Sequence, residues 1–318
     1  MSYYGRLNTG FQVGQSISPL GETDTFQTAF IQGLTYSVTA RGADSGGGTL
    51  GDPHMSITTT GGTQLYYDDD DGTGRDAQIV FTAGTTGDLF VNVAENGNNA
   101  TGTYTLVISP GYASNFNDSV TGTVHGDAIA GMAGNDSLAG AGGDDYLYGQ
   151  DGNDRLWGGA GTDRLFGGNG ADQLFGGDAR DILWGADGND TLMGNAGSDI
   201  LTGGLGADRF VFDDGDSTTA AMDHITAGGG GAAIDGAGQA GGDVIDLSLI
   251  DANIYLAGDQ AFRWATTGEA GTALLYEYQG NTIVYGYTDN VAGADVAIFI
   301  QDGAGVTANT YITSDFIL

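Results

Sequence analysis

The sequence predicts an all-β chain in three parts: an antiparallel β-sandwich, a solenoid of short stacked strands, and a β-rich end segment. Three observations predict it. Between Gly122 and Val211 a nine-residue pattern recurs ten times. Residues 20–110 carry short runs that alternate with period two between turn residues, the signature of a sandwich. After residue 270 the β-rich runs return, at Leu274–Tyr278, Thr282–Tyr285 and Asp295–Ile300.

In order, residues 1–19 read as a polar N-terminal arm with aromatics at Tyr3, Tyr4 and Phe11. Such an arm is a loose tail unless something holds it. In residues 20–110 the expected strands are Thr25-Phe26, Thr35–Thr39, Met55–Thr58, Gln64–Tyr67, Gln78–Phe81, Leu89–Val93 and Gly102–Ile108. The run Asp68–Asp71 is an acidic turn, a solvated one or one more cation site. Residues 111–121 are a short linker, residues 122–212 the repeat, and residues 213–318 a β-rich cap, since a solenoid needs its open end covered.

The repeat has Gly at position one of every block. Asp stands at position six: Asp127, Asp136, Asp145, Asp154, Asp163, Asp172, Asp181, Asp190, Asp199 and Asp208. Position eight is apolar: Ile129, then Leu138 to Leu201 at intervals of nine, then Phe210. Glycines let a turn adopt conformations closed to residues with a Cβ and aim its carbonyls inward. Each turn adds one carboxylate. Oxygen-only ligation of this kind suits a hard cation, and Ca²⁺ tolerates irregular geometry better than Mg²⁺. One nonapeptide cannot bury its large apolar residue, but stacked turns can. A flexible Gly/Asp linker would have no reason to hold Asp and Leu in phase for ten blocks.

This G-G-x-G-x-D-x-U-x pattern resembles the calcium-binding repeat of the RTX family. The resemblance implies a parallel β-roll with two nonapeptides per turn, so that equivalent loops lie eighteen residues apart with Ca²⁺ between them. It assigns as ligands the ten Asp carboxylates and main-chain carbonyls of the glycine-rich loops. At position one these are Gly140, Gly149, Gly158, Gly167, Gly176, Gly185, Gly194 and Gly203. Position two contributes Gly159, Gly168 and Gly177. At position three they are Gly142, Gly143's predecessor in the chain, then Asp151, Ala160, Asn169, Asp178, Asp187, Ala196 and Leu205. Position four contributes Gly134, Gly143, Gly152, Gly161, Gly170, Ala179 and Gly188. A representative site is Gly159, Gly161 and Asp163 with Gly176, Asp178 and Asp181. The Asp pairs run from Asp127/Asp145 to Asp190/Asp208 and allow up to about eight ions. Departures are Thr123-Val-His125 in place of glycines, Ala179 at position four, and Ala141, Gln150, Ala186 and Asn195 at position two.

Two further resemblances flank the repeat. Asp24-Thr-Phe26, Gly33–Tyr36, Leu50–Pro53, Asp69-Asp70, Gly87–Val91 and Gly102–Leu106 are similar to the pre-peptidase C-terminal domain of secreted bacterial proteins. That implies a binding or targeting module. Asp223-His-Ile225, Gly242–Ser248, Gly258–Phe262, Gly271, Asn281–Val284, Ala294-Asp295 and Asp315–Leu318 resemble the region that follows the roll in serralysin-type metalloproteases. Residues 228–242 insert extra Gly and Ala. The final Asp315-Phe-Ile-Leu318 resembles the uncleaved signal read by type I (ABC) secretion machinery, which implies a secreted or cell-surface protein. No apolar run follows Met1, so a Sec-type leader is not expected.

The net charge is −33 and all eight basic residues are Arg. That balance argues against nucleic acid and anionic membranes as partners, and no apolar stretch is long enough for membrane insertion. The repeat holds fourteen Asp and four Arg, so the flanks stay acidic even with metal in the roll. Without Cys a secreted fold lacks disulfides, and metal is the alternative staple. His54, His125 and His224 are the only histidines and form no His-Glu-x-x-His; no Gly-x-Ser-x-Gly elbow occurs. The chain is therefore expected to be non-catalytic. The expected role is that of a self-associating matrix, surface-layer or filament subunit, or alternatively an adhesin or carbohydrate-binding accessory module.

Overall fold

The computed structural model describes residues 2–7, 12–17, 23–42, 53–68, 77–95, 102–213, 216–218, 220–226, 243–248, 263–264, 272–278, 281–287, 296–301 and 316–317. These residues contain strands and no helix. The chain divides into two compact units, the first Met1–Ser114 with Thr121–Ala130, the second Asn115–Val120 with Gly131–Leu318.

The first unit contains β1 (Ser2–Leu7), β2 (Gln12–Ile17), β3 (Asp24–Phe30), β4 (Thr35–Arg41), β5 (Pro53–Thr59), β6 (Gln64–Asp68), β7 (Ala77–Thr82), β8 (Gly87–Glu95), β9 (Gly102–Ile108) and β10 (Gly111–Tyr112). One sheet has the order β1-β3-β8-β5-β6; in the other, β2, β9, β4 and β10 follow one another and β7 also pairs β4. All seven strands expected between residues 20 and 110 are present. The alternation decides their facing: in β4, Tyr36, Val38 and Ala40 are buried, while the residues between them are half-buried. Phe30 packs edge-on against Tyr36 at 4.8 Å and Phe81 at 5.1 Å. Such ring pairs add about 0.5–1.5 kcal/mol each beyond their burial. The N-terminal arm is not a tail. Its two halves are strands, β1 parallel to β3 and β2 antiparallel to β9, each occupying a strand edge that would otherwise be open.

The second unit is built from β11 (Ser119–Thr121), β12 (Ala128–Ala133), β13 (Ser137–Gly142), β14 (Tyr146–Asp151), β15 (Arg155–Ala160), β16 (Arg164–Asn169), β17 (Gln173–Asp178), β18 (Ile182–Asp187), β19 (Thr191–Ala196), β20 (Ile200–Leu205) and β21 (Arg209–Val211). The division between units falls within β12. Even-numbered strands from β14 stack on one face and odd-numbered strands on the other. Every printed pair is parallel and in register at a step of eighteen, as in Leu156↔Leu174 and Leu165↔Leu183. The strands run from position seven of one block to position three of the next, longer than the four residues that follow each Asp. The turn is compressed to positions four, five and six. Position eight points inward, and Leu138 through Leu201 and Phe210 are completely buried. Each contributes roughly 1.5–3 kcal/mol by leaving water.

Position nine points outward and forms aromatic ladders. Tyr148 stacks on Phe166 at 5.1 Å and Phe166 meets Trp184 at 6.3 Å on one face; Trp157 stacks on Phe175 at 5.5 Å on the other. The Arg155 guanidinium lies 4.5 Å from the Trp157 ring centre.

The stacking outlasts the nonapeptides. β22 (Asp223–Ile225) pairs β20, and β23 (Val244–Asp246) pairs β21, both parallel. After β24 (Arg263–Trp264), β25 (Thr272–Tyr278) and β26 (Asn281–Tyr287), β27 (Val296–Ile300) joins β22 and β28 (Phe316–Ile317) joins β23, again parallel. β25, β26 and β27 form antiparallel pairs. The three C-terminal strands expected from sequence are thus present, and residues 316–317 are a strand. The inserted residues 228–242, the segment 258–262 and Asp69–Asp71 lie outside the described residues.

Candidate metal centre

The site is a ladder of buried carboxylates. All ten position-six Asp residues are at most 2% exposed. From Asp154 onward, Oδ1 accepts the main-chain N–H of the Asp one turn earlier: Asp136 N to Asp154 at 2.8 Å, Asp163 N to Asp181 at 2.8 Å, and Asp190 N to Asp208 at 2.9 Å. One carboxylate oxygen therefore registers the turns. The other is left over. Oδ2 of Asp136, Asp154, Asp163, Asp172, Asp181, Asp190 and Asp199 is buried with no hydrogen-bond partner among the described residues.

Glycine at position one makes room for that oxygen. A Cβ on Gly158 would lie 2.3 Å from Asp163 Oδ2 and 2.5 Å from the carbonyl oxygen of Gly176. A carboxylate oxygen of one turn and a main-chain oxygen of the next thus converge on one spot. Gly131 through Gly185 repeat the arrangement. Carbonyls at positions two and four lean toward the turn eighteen residues on; that of Gly134 would sit 1.6 Å from a Cβ on Gly152. Position three differs. The carbonyls of Asp151, Ala160, Asn169, Asp187 and Leu205 accept position-four amides from the preceding turn, which leaves each a second lone pair for an ion.

Position two has positive φ whether or not it is glycine. Met132, Ala141, Gln150, Ala186 and Asn195 have φ of 63–82°, and Ala179 at position four has 79°. These substitutions keep the loop shape at a cost of about 1–2 kcal/mol each.

Asp127 is the exception. Its Oδ2 accepts both the N–H and the hydroxyl of Thr123, at 2.7 and 2.9 Å. The Thr-Val-His stretch supplies from within the block what glycines elsewhere leave open.

Burial holds the ladder carboxyls above the ordinary carboxylate range. Asp154, Asp163 and Asp199 rise to about 6, Asp190 to about 7 and Asp181 to about 8. Desolvation is the largest cause; neighbouring carboxylates add to it, and the main-chain hydrogen bond opposes it. Among the described residues no three His, Cys, Asp or Glu side chains lie close enough to hold an ion by themselves. That fits sites made of few carboxylates and several main-chain oxygens. The donor set is hard and lacks nitrogen and sulfur, so it fits calcium rather than zinc.

Sequence reasoning missed three sets of participants. At position five, Asn117, Asn135, Asn153 and Asn189 each accept, through Oδ1, a main-chain N–H one turn later; the Gly-Asn-Asp triplets eighteen apart were the available signal. Asp118, in the stretch read as a linker, donates its N–H to Asp136 Oδ1. Asp223 and Asp243 take the carboxylate's place beyond the repeat, accepting the N–H groups of Asp199 and Asp208.

The family model for the RTX calcium-binding nonapeptide repeat (4 copies) matches residues 112–147, 121–156, 148–183, 157–192 and 184–218. Residues 112–218 form an RTX calcium-binding array. Among solved structures, the pre-peptidase C-terminal domain of a collagenase from Bacillus anthracis is 14% identical, covering 34% of this chain and 98% of that chain, with a TM-score of 0.29. PliG from Aeromonas hydrophila, a periplasmic lysozyme inhibitor of g-type lysozyme, is 14% identical over the same shares, with a TM-score of 0.26. No curated protein matches. The RTX array binds Ca²⁺, and its unpartnered Oδ2 atoms are where that chemistry requires a cation.

Proposed function

We propose that this is a secreted, non-catalytic calcium-binding protein that folds on extracellular Ca²⁺ and then self-associates as a matrix, surface-layer or filament subunit. The observation that carries it is the row of buried Asp oxygens without hydrogen-bond partners. An unpaired buried carboxylate is strongly unfavourable, so the wound state needs an ion or a proton at each rung. Affinities of roughly 10⁻⁴–10⁻³ M, typical of extracellular calcium modules, would leave the sites empty in the cytosol and fill them outside. The chain would pass type I (ABC) secretion machinery unfolded, addressed by the Asp315–Leu318 segment, and metal binding would then supply folding free energy. Self-association is supported by two edge strands with outward apolar residues, Leu65 and Tyr67 on β6 and Val80 on β7, since open strand edges recruit further strands.

Circular dichroism across a chelator titration tests the folding claim: loss of β signal in excess EGTA is expected, and its full persistence at neutral pH overturns the claim. Light scattering at millimolar Ca²⁺ tests assembly, which a monodisperse monomer excludes.

One observation favours an adhesin or carbohydrate-binding role instead. A cavity of about 520 Å³ in the first unit is lined by Thr25, Ser56, Thr58 and Asn92 beside Phe90 and His54. Neutral hydroxyls and an amide next to an aromatic ring suit a polyhydroxylated ligand. Binding on a glycan array that Phe90→Ala abolishes would establish this role.

A further inference from the structure

Beyond the last nonapeptide, Asp223-His224-Ile225 reproduces a repeat rung with different spacing. Asp223 is completely buried. Its Oδ1 accepts the N–H of Asp199 at 2.8 Å, the bond every inner rung makes. The N–H of His224 donates to the Asp199 carbonyl at 2.8 Å, as Arg155 does to Asp136. Ile225 stacks on Leu201 and is fully buried, as position eight requires. The step is twenty-four residues instead of eighteen. The six extra residues are absorbed in a loop pinned by Ser217, whose hydroxyl accepts the Asp223 N–H at 2.7 Å and donates to the Ala297 carbonyl at 2.5 Å. Ser198 adds a bond to the Met222 carbonyl at 2.7 Å. Oδ2 of Asp223, like Oδ2 of Asp199, is buried and without a hydrogen-bond partner among the described residues.

We propose that Asp199 and Asp223 hold a divalent cation between the last glycine loop of this face and the Ser217–Asp223 segment, a calcium site outside the repeat motif. It rests on the calcium reading of the RTX array and extends it. Main-chain oxygens complete the shell, as no third acidic side chain among the described residues is close enough. Asp216 contributes charge at longer range, raising the carboxyls of both Asp199 and Asp223. The next strand places Ile298, completely buried, opposite Asp223. The carboxylate ladder of this face therefore ends at Asp223, and this cation is its terminal one. It ties the repeat to the segment that follows.

The competing occupant of the Asp223 carboxylate is a proton, and Asp223→Asn separates the two. Asn keeps the oxygen that accepts the Asp199 N–H and mimics the protonated acid. Native mass spectrometry of the full chain at saturating Ca²⁺ should count one ion fewer in Asp223→Asn than in wild type. Ser217→Ala, which loosens the loop but leaves both carboxylates, should keep the wild-type count. An unchanged count in Asp223→Asn, or the same loss in both variants, overturns the proposal while leaving the repeat's own calcium intact. A wild-type protein carrying no calcium overturns the calcium reading itself.

Discussion

Replacing Gly152 by Ala tests whether close approach of successive turns, and not glycine's flexibility, dictates the composition of the loops. Gly152 has φ of 137° and its Cβ would stand 1.6 Å from the Gly134 carbonyl oxygen. Carbon and oxygen need roughly 3.3 Å, so the two turns must separate by about 1.5 Å against a strand spacing of about 4.8 Å. Overpacking of this kind costs about 1–3 kcal/mol, and the disfavoured φ another 1–3 kcal/mol or so. The expected loss is about 2–6 kcal/mol, which lowers Tm by roughly 5–20 °C for a unit of this size. Ala179→Gly is the matched control. The same position already carries a Cβ there at φ 79°. Removing it relieves strain but enlarges unfolded-state entropy, for a net change within about 1 kcal/mol. Thermal melts in saturating Ca²⁺ read both. Equal melting of Gly152→Ala and wild type, or equal destabilisation by the two variants, refutes the crowding argument.

Two further outcomes follow from the same geometry. The ladder carboxyls are raised by burial, up to about 8 at Asp181, so the metal-free folded roll binds more protons than the unfolded chain. Its stability is greatest near pH 4 and falls as pH rises through about 6 to 8; in chelator, β signal should return on acidification, and a flat profile from pH 8 to 5 would contradict this. Phe166→Ala removes ring contacts to Tyr148 and Trp184; it should lower stability by about 1–3 kcal/mol and leave the calcium stoichiometry unchanged, and a lost ion would show that the outer ladder shapes the loops.

The repeat was legible because two chemistries recur at fixed positions. Leu at position eight and Asp at position six each have one place to go once turns stack at eighteen. The sandwich strands were legible from alternation alone. What the sequence hid has a common cause: pairing to a distant edge leaves little local mark. β1 and β2 contain Gly5 and Gly14 and weak alternation, so they read as an arm until the edges of β3 and β9 are known. Asp223 and Asp243 escaped notice because their spacing from the previous rung is twenty-four and thirty-five residues. A periodicity search ends at Val211, but the Asp-x-Ile triplet persists at both. The outward aromatics at position nine vary in identity, from Tyr148 to Trp157 to Phe166, and so carry no repeated letter.

Register and metal are coupled in this roll because a single side chain serves both. Oδ1 of each ladder Asp fixes its height against the turn before it, and burial of that bond places Oδ2 in a spot water does not reach. A substitution cannot improve one function without changing the other: Asn keeps the hydrogen bond and abolishes the charge, while Ala abolishes both. The consequence is cooperativity along each face. A turn that lacks its cation has a buried charge to relieve, and relieving it by unwinding breaks the Oδ1 bond to the neighbour, which exposes that neighbour's carboxylate in turn. Each face then loads and empties as a run of linked sites, not as independent ones. Asp223, with apolar Ile298 opposite it, is where such a run stops.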